Sequence, residues 1–416
     1  MPGIHRERPG ADAIAPCRGD PAIDLGDGIW MSPGLSNSYM LATDDGPVLL
    51  NTGMGFEGPL HKRAYANVGG GTPPRAIILT QGHYDHVGGV DALREDGAEV
   101  IAQANFDVWR ADNERLEAFR VRNAAFAWME AIVAAMEYAK TSGVGVVAQA
   151  RPEPTTTFDD RLALTIGGRR IELLSVPGGE TTDALVVWLP ESRTVFTGNL
   201  TGPLFGHVPN LVTMRGDRYR DALAYVSSLV QARALGAERV ITGHFDPIEG
   251  GDRIHEEFTA MLEGMRWVHD RTVDGMNVGT DVHTLMQTVT APDEFDIGEG
   301  YGKTSWNVRA IWENYAGWFH HRSTTELYDV PSTAVSGDVV AAAGADALVA
   351  AARARLDAGQ PVEALHLTDI VLSAEPHVTG ARAVAAAATR QLLESSSNFW
   401  EAAWLRRSAE SLEDAS

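Results

Sequence analysis

The stretch "RAIILT", residues 75–80, is an apolar run of strand length, and it passes directly into "QGHYDHVGG", residues 81–89. A buried strand is held rigidly by its sheet, so the residues at its end are presented by the scaffold in a fixed place. Here those residues are His83, Asp85 and His86, followed by Gly88 and Gly89. Imidazole and carboxylate are natural donors for zinc and similar divalent ions, and a tight loop lets neighbouring side chains converge on one point. The two glycines are expected to supply the backbone dihedrals that turn such a loop toward a helix. The bland alternative is a chance pair of surface histidines, and with 13 histidines in the chain a close pair alone means little. Histidines that bracket an aspartate, between a buried strand and Gly-Gly, favour a cation site.

The same pattern of a strand followed by a candidate ligand returns twice. "VPGGE" ends in Glu180, and "ERVITGH" ends in His244 after another apolar strand. Other strand signals are "SNSYMLATDDGPVLLNTG" (a pair around an Asp-Asp-Gly turn), "AEVIAQ", "LALTIGGRRIELLSVPGG", "ALVVWLP" and "RTVFTGN". Between Phe106 and Lys140 the pattern is helical, with Phe119, Phe126, Met129 and Ile132 at helical spacings. It reads either as an insertion shaping an active-site mouth or, preferably, as a packed helix pair. Beyond about Asp252 the chain becomes amphipathic and Ala-rich, in segments that look like helical hairpins. These signals place an α/β domain over 20–250 and an all-α domain over 251–412.

Charge and cysteine content narrow the partners. A formal net charge of -22 argues against a nucleic-acid surface, because phosphate contacts need clustered Lys and Arg. It leaves room for an anionic small molecule held by a local arginine. Cys17 is the only cysteine, which excludes an intramolecular disulfide and a thiolate zinc cluster. Its setting, "CRGD", also fails the Cys-x-Pro-x-Arg pattern of sulfatases that oxidise a cysteine into their nucleophile. No apolar run has the length of a membrane span or a signal peptide, and a cytoplasmic location is the expectation.

"TQGHYDHVGG" resembles the Thr-His-x-His-x-Asp-His loop of the metallo-β-lactamase superfamily, and "NSYMLATDDGPVLLNTGMG" the strand pair that opens that fold. Other segments resemble one branch, the alkylsulfatases with a helical dimerisation domain. "VPGGETTDALVVWLP" is similar to their Pro-Gly-x-Glu segment, and "NLVTMRG" (210–216) to their Asn-Leu-x-Thr-x-Arg-Gly segment. "ITGHFDP" is similar to the segment of their last histidine ligand, and "GKTSWNVRAIWENYAGWFHHRSTTELYDVP" to their dimerisation signature. The resemblance implies an αββα sandwich followed by an all-α dimerisation domain, and hence a homodimer. It implies a metal set of His83, Asp85, His86, Glu180 and His244, with Arg215 as the sulfate-binding arginine; Asn210, in the same segment, is expected as a further substrate-binding residue.

The departures are equally informative. The family pattern implies two ions, yet its first loop histidine is Gln81 here, and Gly198 or Asn199 stands where a further glutamate is expected. An amide is a weak donor, and a lost carboxylate removes charge that would offset a second dication. One tightly bound ion is therefore expected, zinc first with iron or manganese as alternatives, and a second absent or weak. Gln81 and His83 are then free to bond a water or a substrate oxygen. His320, His321, Arg322 and Ser323 replace the usual Asp-Gly-Asn-Pro of the dimerisation signature. The leading functional expectation is hydrolysis of an anionic, sulfate-type ester by a metal-activated water oriented by Asp85 or Glu180. The alternatives are a specialised enzyme acting on another ester, a lactone or by elimination, and a catalytically silent dimeric scaffold.

Overall fold

The computed structural model describes residues 2–68 and 71–414. Its contacts divide the chain into two compact units, Met1–Tyr315 and Ala316–Ser416.

The first unit is built on two sheets. One contains β1 (Ile23–Asp24), β2 (Ile29–Ser32), β3 (Ser38–Leu41), β4 (Val48–Leu50), β5 (Ala76–Ile78), β6 (Glu99–Gln103) and β7 (Thr156–Phe158), in that order. Its first four strands form an antiparallel meander, and β4 to β7 run parallel. The other sheet contains β8 (Arg161–Ile166), β9 (Arg169–Ser175), β10 (Leu185–Leu189), β11 (Thr194–Gly198), β12 (Arg239–Thr242) and β13 (Ile248–Glu249). Its order is β13-β12-β11-β10-β9-β8, antiparallel except for the β11–β12 pair.

The period of two along each strand explains why these segments read as unbroken apolar runs. Tyr39, Leu41, Val48, Leu50, Ala76 and Ile78 face Leu185, Val187, Leu189 and Phe196 across the space between the sheets. Met40, Leu49, Ile77 and Val100 point the other way, against the helical layer that includes α3 (Val90–Leu93). On the far side, Val186, Trp188 and Val240 pack against α5 (Ala222–Ala234), α6 (Gly251–Asn277), α7 (Val282–Thr288) and α8 (Thr304–Ala316). Strands buried on both faces need apolar residues at every position. The result is the expected αββα sandwich. Truncating one of these central Leu or Ile residues to Ala costs about 2–5 kcal/mol.

The change in sequence character near 250 and the division by contacts do not coincide. Helix α6 begins at Gly251, but its buried face (Ile254, Phe258, Met261, Met265) joins the core formed by α5 and the second sheet, so the compact unit continues to Tyr315.

The remaining helices of the first unit are α1 (Gly58–Ala64), α2 (Tyr84–Val87) and α4 (Phe106–Thr141). The expected helix pair over 106–140 is in fact the single helix α4. Of its four supposed packing residues, Ile132 does pack against the core that holds Ala135 and Ala139, whereas Phe119 is 42 % and Met129 40 % exposed. Toward its start the buried positions are Phe106, Trp109, Asp112, Asn113 and Arg120, and toward its end Ala135 and Ala139. The mixed polar character of that first set shows that this end of α4 lies over a polar region, where Trp109 meets His83 and Arg120 meets Asp217.

The second unit consists of α9 (Ser336–Ala343), α10 (Ala345–Asp357), α11 (Pro361–Ala374), α12 (Thr379–Ser395) and α13 (Phe399–Asp414). Small residues meet at its centre, where Ala352, Ala364, Val384 and Ala388 are buried together. This accounts for the Ala-rich composition of the segments. His320 and His321 lie in this unit, in a loop whose backbone amides at 320, 322 and 323 donate to the Glu326 carboxylate. Trp318, in the same loop, is 69 % exposed and is not a core residue. No single helix among the described residues is long and apolar enough to cross a membrane.

Candidate metal centre and its charged neighbour

Strand β5 delivers the loop, as the sequence suggests. Thr80 is pinned by its backbone N–H and hydroxyl to Asn51 Oδ1, at 3.0 and 3.1 Å. His83 stands at the N-terminal cap of α2, and Asp85 and His86 lie in its single turn. Gly88 and Gly89 have ordinary φ values of -67° and -88°, so backbone freedom is not why they are glycines. Close approach is: a Cβ on Gly89 would sit 2.1 Å from the Thr52 carbonyl oxygen, and one on Gly88 2.2 Å from the Gln149 amide.

Asp85, His86 and His244 converge, with one ligand atom from each lying within 4.8 Å of the others. His86 Nε2 is 3.5 Å from Asp85 Oδ2, while Asp85 keeps 30 % of its side chain open. The Ser36 hydroxyl lies 3.1 Å from His86 Nδ1, which orients the ring. His86 Nε2 is buried with no hydrogen-bond partner among the described residues. Burial pushes the His86 pKa down to about 4 against the pull of Asp85. His244 is lowered by burial as well. Burial would raise Asp85, but His86 and His244 outweigh it and hold the carboxylate ionised. Two neutral imidazoles and one carboxylate, with an orphaned nitrogen aimed among them, fit a divalent cation.

His83 and Glu180 are held in a different environment. Arg215 Nη2 lies 2.9 Å from His83 Nε2, and the Gln81 amide lies 2.7 Å from His83 Nδ1. Glu180 Oε2 accepts a 2.9 Å hydrogen bond from Asn199 Nδ2 and is 3.4 Å from His83 Nδ1. Its other oxygen is 3.6 Å from Arg220 Nη1. Burial alone would raise Glu180, but Arg220, His83 and Arg215 together hold it well below the usual carboxylate range. Asp217, whose side chain is 2 % exposed, accepts a 2.8 Å bond from Arg215 Nε. It also faces Arg120 at 3.2 Å and Arg220 at 3.8 Å. Three arginines thus surround two carboxylates in a buried network.

Of the two residues read against the missing glutamate, Asn199 and not Gly198 brings a side chain to the site. Gly198 has φ +50°, and a Cβ there would meet Thr80 Oγ1 at 2.6 Å. Asn199 Nδ2 reaches both Glu180 and, at 3.2 Å, His244 Nε2, so it joins the two halves of the site. Asn210 is buried with its side-chain oxygen unpartnered, and its backbone carbonyl accepts from Arg220.

Several of these groups escape a reading of the sequence. Asp217 and Arg220 sit in "MRGDRYRD", which looks like a solvated charge run. Arg120 and Trp109 come from α4. Trp109 packs edge-on to His83 with ring centroids 5.4 Å apart, and the Arg120 guanidinium lies 5.1 Å from the Trp109 ring. Phe119 touches the same loop from above, since a Cβ on Gly216 would fall 2.3 Å from its ring.

The family model of the metallo-beta-lactamase superfamily matches residues 31–244, and that of alkyl sulfatase dimerisation matches residues 285–415. The chain is 27 % identical over 297 residues to a linear primary-alkylsulfatase of a Pseudomonas species, covering 67 % of this chain and 56 % of that protein. It is 25 % identical over 354 residues to alkyl/aryl-sulfatase BDS1 of Saccharomyces cerevisiae, covering 80 % and 54 %. The chain spans about half the length of these curated relatives. The solved structure of the stereoselective inverting sec-alkylsulfatase Pisa1 from Pseudomonas sp. superposes with a TM-score of 0.81. That match covers 95 % of this chain and 66 % of the other at 22 % identity, and it shows a shared fold.

Proposed function

Because this chain belongs to the metallo-beta-lactamase superfamily and carries an alkyl sulfatase dimerisation domain, we propose that it is a metal-dependent hydrolase of a sulfate-type ester. The observation that carries this reading is the convergence of Asp85, His86 and His244 beside a buried arginine network. A divalent ion held by those three residues supplies Lewis acidity, with zinc the best match to two imidazoles and a carboxylate. The partly open Asp85 carboxylate and the ionised Glu180 are both acceptor-only groups, suited to orienting a water for attack. Arg215, with 20 % of its side chain exposed against 7 % for Arg120 and 9 % for Arg220, is the guanidinium with surface left to meet an anionic head. Asn210 and Gln81, buried amides each with one end unpartnered among the described residues, complete the proposed substrate-binding set.

The test is release of inorganic sulfate from primary and secondary alkyl sulfates by the zinc-loaded protein, and loss of release after chelation. No turnover on either substrate with the metal loaded rejects the sulfatase reading. Gln81 and Asn199 at former ligand positions support a second reading, a single-ion enzyme acting on a carboxylic ester or lactone. The same assay run on those substrates separates the two. The dimerisation domain and the exposed Trp318, Leu327, Tyr328 and Val330 support a homodimer. Light scattering that finds a monomer at micromolar concentration rejects that part.

A further inference from the structure

We propose that the Arg215 guanidinium takes the place of a second cation in this site, by claiming the His83 lone pair that such an ion would need. The inference extends the single-ion reading above.

A guanidinium can only donate hydrogen bonds. At 2.9 Å from Arg215 Nη2, His83 Nε2 must therefore be the acceptor. That excludes the imidazolium form and the Nε2–H tautomer, both of which would set a donor against a donor. Asp217 is 3.9 Å from the same nitrogen, too far to draw the ring into donating there. The proton of His83 thus sits on Nδ1. Gln81 Nε2 is placed 2.7 Å from Nδ1, so the two ends of this amide must be exchanged and its oxygen, not its NH2, must face the ring. The contact from Gln81 to Glu180, at 3.5 Å, is too long to dictate the opposite orientation.

Three consequences follow for the vacated half-site. Neither ring nitrogen of His83 has a lone pair free for a metal. Glu180, the carboxylate a second ion would share, is already bonded by Asn199 and faced by Arg220. The Gln81 NH2 is turned to the other end of the amide, which is buried and without a partner among the described residues. That NH2 is a donor left for an oxygen of the bound substrate. A fixed organic cation and an amide donor replace a removable inorganic one.

Two measurements on the intact chain test this. Long-range proton–nitrogen NMR of histidine-labelled, metal-free protein should show His83 as the Nδ1–H tautomer. An Nε2–H or doubly protonated ring at neutral pH overturns the proposal, whatever the protein does with metal. Metal analysis and calorimetry with excess zinc should give one ion per chain for the parent protein. The combined Gln81→His, Arg215→Ala chain, with two free imidazoles beside Glu180, should take up a second. Two tight ions in the parent, or no gain in the folded double variant, likewise overturn it. A parent chain that binds no zinc at all defeats the functional reading instead, and the tautomer measurement still decides the present one.

Discussion

The two halves of the site solve the problem of buried charge in opposite ways. Around Asp85, His86 and His244 the protein gathers atoms suited to a cation and leaves His86 Nε2 orphaned, while the Asn199 amide reaches His244 Nε2 at 3.2 Å. Around Glu180 and Asp217 it supplies its own cations, Arg120, Arg215 and Arg220. The first half is incomplete without a cation from solution, whereas the second already holds its own, three guanidinium groups against two carboxylates. Carboxylates are kept ionised in both, Asp85 by neighbouring imidazoles and the pair Glu180 and Asp217 mainly by guanidinium groups. The lesson is that losing a ligand set need not empty a pocket, because a guanidinium fork can satisfy a carboxylate as a metal would.

The largest expected effect tests whether the second half is closed. Asp217→Ala removes the carboxylate that Arg215, Arg120 and Arg220 share, leaving buried guanidinium groups uncompensated. Breaking a buried pair in this way costs about 3–5 kcal/mol. Urea denaturation should show a loss of that order. A change below about 1 kcal/mol would mean that the network adds little to the fold.

Acid separates the halves next. His86 and, on α1, His61 are pushed down to about 4 by burial from 6.5. Between those values the unfolded chain binds more protons than the folded one, so stability rises with pH there and is lost as pH falls from 6.5 toward 4. The ceiling is about 3 kcal/mol per imidazole. Asp217, held below the ordinary carboxylate range by Arg215, His83, Arg220 and Arg120 although burial opposes them, stays charged in the folded chain and adds slope only at the acid end of this window, where the unfolded aspartate begins to bind protons. The urea midpoint of metal-free protein should therefore fall over this range. A flat profile from pH 7 to 4.5 contradicts the buried, neutral imidazoles.

His244→Ala should weaken zinc binding by about a hundredfold or more, since even outer partners of a ligand are worth 10–100-fold. Chelator competition measures it. The same substitution should leave the arginine network intact, because His244 touches that half only through Asn199. An unchanged zinc affinity would remove His244 from the ligand set.

How much of this could be read from the sequence depends on whether a feature was local. The His83–His86 loop follows its strand directly, and Glu180 and His244 each follow one, so strand ends alone find them. The sandwich was equally accessible, because period-two burial such as that of Tyr39 and Leu41 is written into neighbouring residues. The arginine network was not. Arg120 lies on α4, and its meeting with Asp217 depends on how that helix crosses the loop after Asn210, which no periodicity encodes. Phe119 and Met129 show the same limit from the other side: apolar residues at helical spacing suggested a core, but they sit on a helix that covers a polar mouth. Gly88 and Gly89 were recognised for the wrong reason, since what crowds them, the Gln149 side chain at Gly88 and the Thr52 carbonyl at Gly89, comes from other parts of the chain.

The smallest effect probes how tightly the first half is built. Ser36 is buried, and its hydroxyl lies 3.1 Å from His86 Nδ1. Its loop is fixed in turn by Glu57, which accepts the backbone N–H of Leu35 at 2.9 Å and that of Cys17 at 2.8 Å. By accepting the Nδ1 proton, Ser36 selects the tautomer that leaves Nε2 free for a cation, a choice that otherwise falls to chance. Ser36→Ala should thus weaken zinc binding by about tenfold, with the urea midpoint moved far less than by Asp217→Ala. Ser36→Thr, which keeps the hydroxyl, should retain most of the affinity if the added methyl fits. A Ser36→Ala chain that binds zinc as tightly as the parent would show that packing alone orients His86, and the contrast between an expectant half and a self-contained one would then rest on the ligands alone.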